Sequence, residues 1–235
     1  MVGADFDKIE FQMFGLELLE PMAFITDSLL GLLSLFFAYK VFKISSKLPF
    51  YKYWKLFFLF FGIGILLGGI GHTFYNQLGL YGKIQGWFLA PFAIYLSERA
   101  MISIHWEESK KKLLIKLSIA KVLTVYLIFI GLLFTSEESK ITTQPFLPIA
   151  INTIVGFIGF VGVLGFKYTE KLSVKFKYFW LGIMILMPTA LIFLMKINLH
   201  PWFDKNDFSH VIFCIGITYF YLGVNGLAKG LKQSN

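Results

Sequence analysis

Seven stretches of this chain are apolar for about 20 residues each, the length an α-helix needs to cross the hydrocarbon core of a bilayer. They lie at 22–43, 53–77, 84–104, 114–135, 146–167, 177–197 and 208–229 of a 235-residue sequence. The connections between them are short, so no separate soluble domain fits, and no internal repeat or low-complexity linker is visible. The expected fold is all-α, a polytopic membrane bundle with a single seven-helix transmembrane domain over residues 1–235. Composition agrees: 57% of the residues are hydrophobic and 15% charged, against about 45–50% and about 25% in soluble domains.

The formal charge is +8. On a soluble chain it would raise nucleic-acid binding, which needs a basic face or a recognisable reading module. Neither is present, so no nucleic-acid partner is expected. The charge is instead distributed by connection. Alternate connections hold 17 of the 22 basic residues, among them Lys40, Lys43, Lys47, Arg99, Lys110, Lys111, Lys112, Lys171 and Lys175. The other set holds Lys8, Lys83, Lys140, Lys196 and Lys205 beside the acids Asp5, Asp7, Glu10, Glu17, Glu137, Glu138 and Asp204. Cytoplasmic loops carry the excess of Lys and Arg, which places the amino terminus outside and the carboxy terminus in the cytoplasm. The run Lys110–Lys112 is a solvated loop end on this reading. Lysine at 21 of the 22 basic positions, with abundant Phe and Ile, points to an AT-rich bacterial genome and hence to a bacterial cytoplasmic (inner) membrane. Cys214 is the single cysteine, so no intramolecular disulfide forms. The first twenty residues lack the positively charged start of a signal peptide, and the mature chain is expected to begin at or near Met1.

Polar residues inside such helices are costly and usually have a partner or a task. With the amino terminus outside, Asp27 lies about 8 Å below the outer surface at about 1.5 Å per residue. His72, in "GGIGHTFYNQ" near the outer end of the second helix, lies at a similar depth. Asp207, His210 and Cys214 fall in the first two turns of the seventh helix, and Asn152 in those of the fifth. Residues three and four apart share a helix face. Gly64, Gly68, His72 and Asn76 then form one stripe, Asp27, Gly31 and Ser34 another, and Asn152 and Gly156 a third. Small residues at this spacing let helices approach closely, so the polar set is expected to converge inside the bundle.

Imidazole, carboxylate and thiolate are the common zinc ligands, and a catalytic zinc keeps one position open for water. The candidate metal ligands are His72, His210, Asp27 and Cys214, with Asp207 or His200 as competitors. Asn76, Asn152, Thr26 and Ser28 are candidate partners for the ligands. The same residues could equally form a hydrogen-bonded latch between helices, or part of a proton or ion path. Glu98, toward the cytoplasmic end of the third helix, is explained by a local ion pair with Arg99 or by snorkelling at the boundary rather than by an ion path, His105 as an interfacial residue, and Pro91 and Pro188 as kinks. A retinal protein is excluded because the last helix offers only Lys229, at its end, for a Schiff base.

His72 in "GIGHTFYNQ" and His210 in "NDFSHVIFCIGITYFYLG" give the chain a resemblance to the superfamily of seven-helix membrane hydrolases that includes alkaline ceramidases and the progestin and adipoQ receptors. Members hold zinc with one histidine on the second helix and two on the seventh, and cut amide or ester bonds in lipids or are suspected to. The resemblance implies a Zn2+-dependent hydrolase whose lipid substrate enters between helices, with Asp27 or Asp207 as ligand or general base. The chain departs from the pattern in three places. The seventh helix reads His210-x-x-x-Cys214, Gly68 stands where the family has a serine, and no acid closely follows His72. A non-enzymatic receptor or membrane assembly protein on the same scaffold is the alternative.

Overall fold

The computed structural model of the protein describes residues 10–135 and 144–233. Asp5, Asp7, Lys8, Glu137, Glu138, Lys140 and the expected chain start at Met1 lie outside the described residues. Seven helices follow a short hairpin: α1 Pro21–Phe42, α2 Pro49–Thr73, α3 Tyr75–Ser103, α4 Glu108–Thr135, α5 Phe146–Lys171, α6 Lys177–Leu194 and α7 Lys205–Gln233. Six of them, all but α3, are long and apolar enough to cross a membrane. The protein is an all-α, polytopic membrane bundle. α3 falls short because its sequence includes Asn76, Gln77, Lys83, Gln85, Glu98 and Arg99.

Local chemistry sets the helix starts. Pro21 and Pro49 occupy the first turns of α1 and α2, where a fixed φ is preorganised and the missing N–H is not needed. The expected loop after the second helix is absent. α2 ends at Thr73, Phe74 alone intervenes, and α3 starts at Tyr75 and breaks at Gly79, whose φ of 55° and ψ of −143° are non-helical. Asn76 therefore belongs to α3 and is exposed, which removes it from the stripe expected on α2. α5 widens into a π-helical stretch over Gly156–Gly162, a form that occurs mostly as short insertions within α-helices. The hairpin, β1 Phe11–Met13 and β2 Leu16–Leu18, pairs Phe11 with Leu18 and was not expected. Phe14 and Gly15 turn it at φ 53° and 76°, the hand that suits strand twist in a two-residue turn.

Glycines set the crossings. A Cβ on Gly62 would stand 2.9 Å from the Gly31 carbonyl oxygen, and one on Gly86 would stand 2.7 Å from that of Gly64. α1 against α2, and α2 against α3, therefore pack backbone to backbone. Toward the other end of the bundle, Trp54 of α2 stacks on Phe179 of α6 at 5.0 Å and tilts against Phe220 of α7 at 5.6 Å. Polar side chains inside the bundle bond to backbone on other helices: Ser34 Oγ donates to the Phe58 carbonyl at 2.7 Å and Tyr168 Oη to that of Met101 at 3.0 Å. At the α3–α4 turn His105 is buried, stacked on Trp106 at 4.7 Å, and its Nδ1 accepts from Glu107 N. It is more enclosed than an interfacial residue. The hydrogen bond from Lys110 Nζ holds the Glu107 carboxyl below its ordinary range.

Gly71 and Gly68 give a paired test of the α2–α3 crossing. A Cβ on Gly71 would come within 2.5 Å of Gly82 backbone atoms, whereas one on Gly68 meets nothing within 4 Å. Gly71→Ala is expected to lower stability by about 1–3 kcal/mol and Gly68→Ala to leave it unchanged or raised, as read by thermal unfolding in detergent.

Candidate functional site

α7 begins at the end of the bundle that holds the start of α1 and the end of α2. Asp204, buried, caps it: Oδ1 accepts from Asn206 N at 2.7 Å and from Asp207 N at 3.3 Å, while Asp207 Oδ2 accepts from Asp204 N at 2.9 Å. This is a capping box made of two aspartates, legible in "DKND" at 204–207. Asp207 Oδ1 faces α1, where Thr26 Oγ1 donates to it at 3.1 Å. The same hydroxyl lies 3.2 Å from His210 Nδ1. Its proton being committed to Asp207, Thr26 is left to accept from Nδ1–H, and Asp27 Oδ1 stands 3.2 Å from the same nitrogen. That arrangement selects the tautomer with the proton on Nδ1 and a bare Nε2.

The second imidazole is held in the same manner. His72 Nδ1 lies 2.6 Å from Glu20 Oε2. Glu20 is the residue before Pro21 and has a φ of 47°. The hairpin brings the chain to this position: Leu19 N donates to the Thr73 carbonyl at 3.0 Å and Gln77 Nε2 to that of Glu17 at 2.7 Å. Sequence reasoning missed Glu20. Its signal was an acid at the start of an apolar helix, where the helix dipole favours negative charge. Asp27 fits beside α2 because Gly69 has no side chain; a Cβ there would fall 2.8 Å from Asp27 Cβ.

The carboxylates of Glu20 and Asp27 keep 8% and 3% of their side chains exposed, and their histidines 19% and 17%. Each imidazole is thus anchored at Nδ1 and mostly buried, with an Nε2 that makes no hydrogen bond among the described residues.

Other expected members stand elsewhere. Cys214 is half-buried and packs against the apolar core one turn beyond His210. His200 is exposed, its Nδ1 accepting from Trp202 N, and Ser28 is half-buried and makes no side-chain hydrogen bond among the described residues. Among the described residues no three His, Cys, Asp or Glu side chains gather to hold a metal ion. Asp27 Oδ1 faces Nδ1 of His210 while its Oδ2 is buried without a hydrogen-bond partner, and Asp207 holds the helix cap.

Asn152 joins a separate cluster deeper in the bundle. Glu98 of α3, fully buried, is paired with Lys121 of α4 at 2.7 Å. It also accepts from Ser118 Oγ of α4, and Lys121 Nζ donates to Asn152 Oδ1 of α5. The local pair expected between Glu98 and Arg99 does not form. Consecutive residues point to different helix faces, and Arg99 turns to Tyr95 Oη at 2.9 Å and to the Tyr53 ring.

Residues 22–229 match a family of unknown function, DUF6962. The chain belongs to DUF6962. That membership spans nearly all of the helical bundle and assigns no reaction, and it carries no link to the ceramidases or the progestin and adipoQ receptors. No curated protein matches the chain, and no solved structure does.

Thr26 is the hinge of the α1–α7 contact. Thr26→Val keeps its shape but removes the hydroxyl that serves both Asp207 and His210, and should cost about 1–3 kcal/mol. Thr26→Ser should retain most of it. Thermal unfolding of the two variants beside wild type checks this.

Proposed function

We propose that this DUF6962 protein is a membrane-embedded hydrolase acting on the amide or ester carbonyl of a lipid, with His72 and His210 as its acid–base pair. One observation carries the reading: two imidazoles from α2 and α7 are each held at Nδ1 by a buried carboxylate, and neither Nε2 makes a hydrogen bond among the described residues. A carboxylate behind the ring fixes tautomer and orientation and stabilises the imidazolium that forms during proton transfer.

In this reaction His210 Nε2 takes a proton from a water attacking the carbonyl carbon, and Asp27 supports the resulting charge. His72, protonated and paired with Glu20, gives a proton to the departing oxygen or nitrogen. Asp207 acts as a positioning residue through Thr26. With the amino terminus outside, the site faces the outer leaflet of a bacterial cytoplasmic membrane. The exposed Met13, Phe14 and Leu16 of the hairpin offer an apolar surface beside it for an acyl chain that reaches the site between helices. Zinc is not assigned a step.

A receptor or assembly role is the second reading, favoured by the fact that the same bonds tie α1 to α2 and to α7. Purified protein in detergent, offered a panel of lipid amides and glycerolipid esters, separates the two. The hydrolase reading expects turnover that falls by about 100-fold or more in His72→Ala and in His210→Ala, with folded protein recovered in both. A latch expects no turnover in wild type and lowered thermal stability in both variants. Stoichiometric zinc in unchelated wild type, lost in both variants, would replace the imidazole mechanism with a metal-assisted one.

A further inference from the structure

The Glu98 cluster lies outside the site described above and is built from other helices. Its acid is fully buried, while the side chain of Lys121 keeps 16% of its surface exposed. A buried ion pair is often no more stabilising than an apolar pair of the same volume, and ionisable residues inside membrane helices usually mark a functional path. Two further features concern the same place. Asn152 Nδ2 is buried without a hydrogen-bond partner, so an unused donor stands in the cluster. The π-helical stretch of α5 begins at Gly156, where a Cβ would come within 2.5 Å of Glu98 Oε1. The helix backbone is thus drawn directly against the carboxylate.

We propose that Glu98 is a proton-binding site inside the membrane core, where uptake of a proton dissolves the pair with Lys121 and loosens α4 from α3. The carboxylate becomes a neutral acid and Lys121 stays an ammonium, so the cluster gains a positive charge. Lys121 keeps Asn152 Oδ1 as a neutral acceptor and, being the partly exposed partner, is the one that withdraws. Lys121 is the only charged group acting on Glu98 among the described residues. Ser118 of α4 donates to it, α5 presents Asn152 and Gly156, and Arg99 on its own helix points to Tyr95 and Tyr53. α4 is the least buried of the candidate spans, and its buried residues are Ser118, Val122, Val125 and Phe129. The polar tie to Glu98 is therefore one of two that hold it to α3 among the described residues, the other running from Tyr126 Oη to the Phe88 carbonyl at 2.8 Å.

The test uses full-length protein in proteoliposomes. Infrared difference spectra between alkaline and acidic buffer should show the carbonyl stretch of a protonated carboxylic acid that is absent in Glu98→Gln. Hydrogen exchange along α4 should quicken in acid for wild type and stay constant in the double variant Glu98→Gln/Lys121→Met, which keeps the volume without the charges. If Glu98→Gln is not recovered folded, Glu98→Asp serves, and its band should move in frequency. A wild-type spectrum with no acid band, a band unaltered by the substitution at Glu98, or equal α4 exchange in both buffers would overturn the proposal.

Discussion

Inside a bilayer a polar group has no water to turn to, so each must be satisfied by the protein itself. Many side chains turn to a carbonyl of their own helix, but several reach another helix. Ser34 reaches α2, Tyr168 reaches α3, Glu98 reaches α4, and Thr26 and Asp27 reach α7. The polar contacts thus dictate which helices are neighbours, while the aromatic core around Trp54 fills the space between them.

Close approach makes those contacts possible. Hydrocarbon tails are as apolar as Leu, so helices in a membrane gain little from burying apolar surface and depend on packing and hydrogen bonds. Gly31, Gly62, Gly64 and Gly86 bring α1, α2 and α3 to backbone contact, and Gly69 leaves room for Asp27. Without this last gap the carboxylate would be displaced from His210. Glycine positions that look like simple packing devices in the sequence therefore also set the geometry of the polar cluster.

The helix count and most helix limits were legible because about 20 apolar residues mark a span directly. The meeting of Asp27 on α1 with His210 on α7 was legible too, since depth and helical spacing follow from chain direction. The α2–α3 connection was not: "HTFYNQLG" reads as the end of one long helix, and only the tertiary turn at Phe74 moves Asn76 to the next. Glu20 escaped notice because its role depends on a hairpin that carries no apolar run. Asn152 was assigned by depth and by the stripe it shares with Gly156, and neither says which neighbour a side chain faces. Glu98 was paired with the nearest cation in sequence, although adjacent residues on a helix diverge and a cation on α4 could lie closer in space.

Thr26 bonds with residues 181 and 184 positions further along the chain. During biosynthesis α1 leaves the ribosome well before α7. The acid at Asp27 must therefore wait in the membrane, or at its edge, through the making of five intervening helices before His210 arrives. Arrival of α7 is thus coupled to the final seating of α1. A product cut short before α7 would leave a carboxylate without its imidazole in the bilayer, a feature by which membrane quality control could distinguish an unfinished molecule from a finished one.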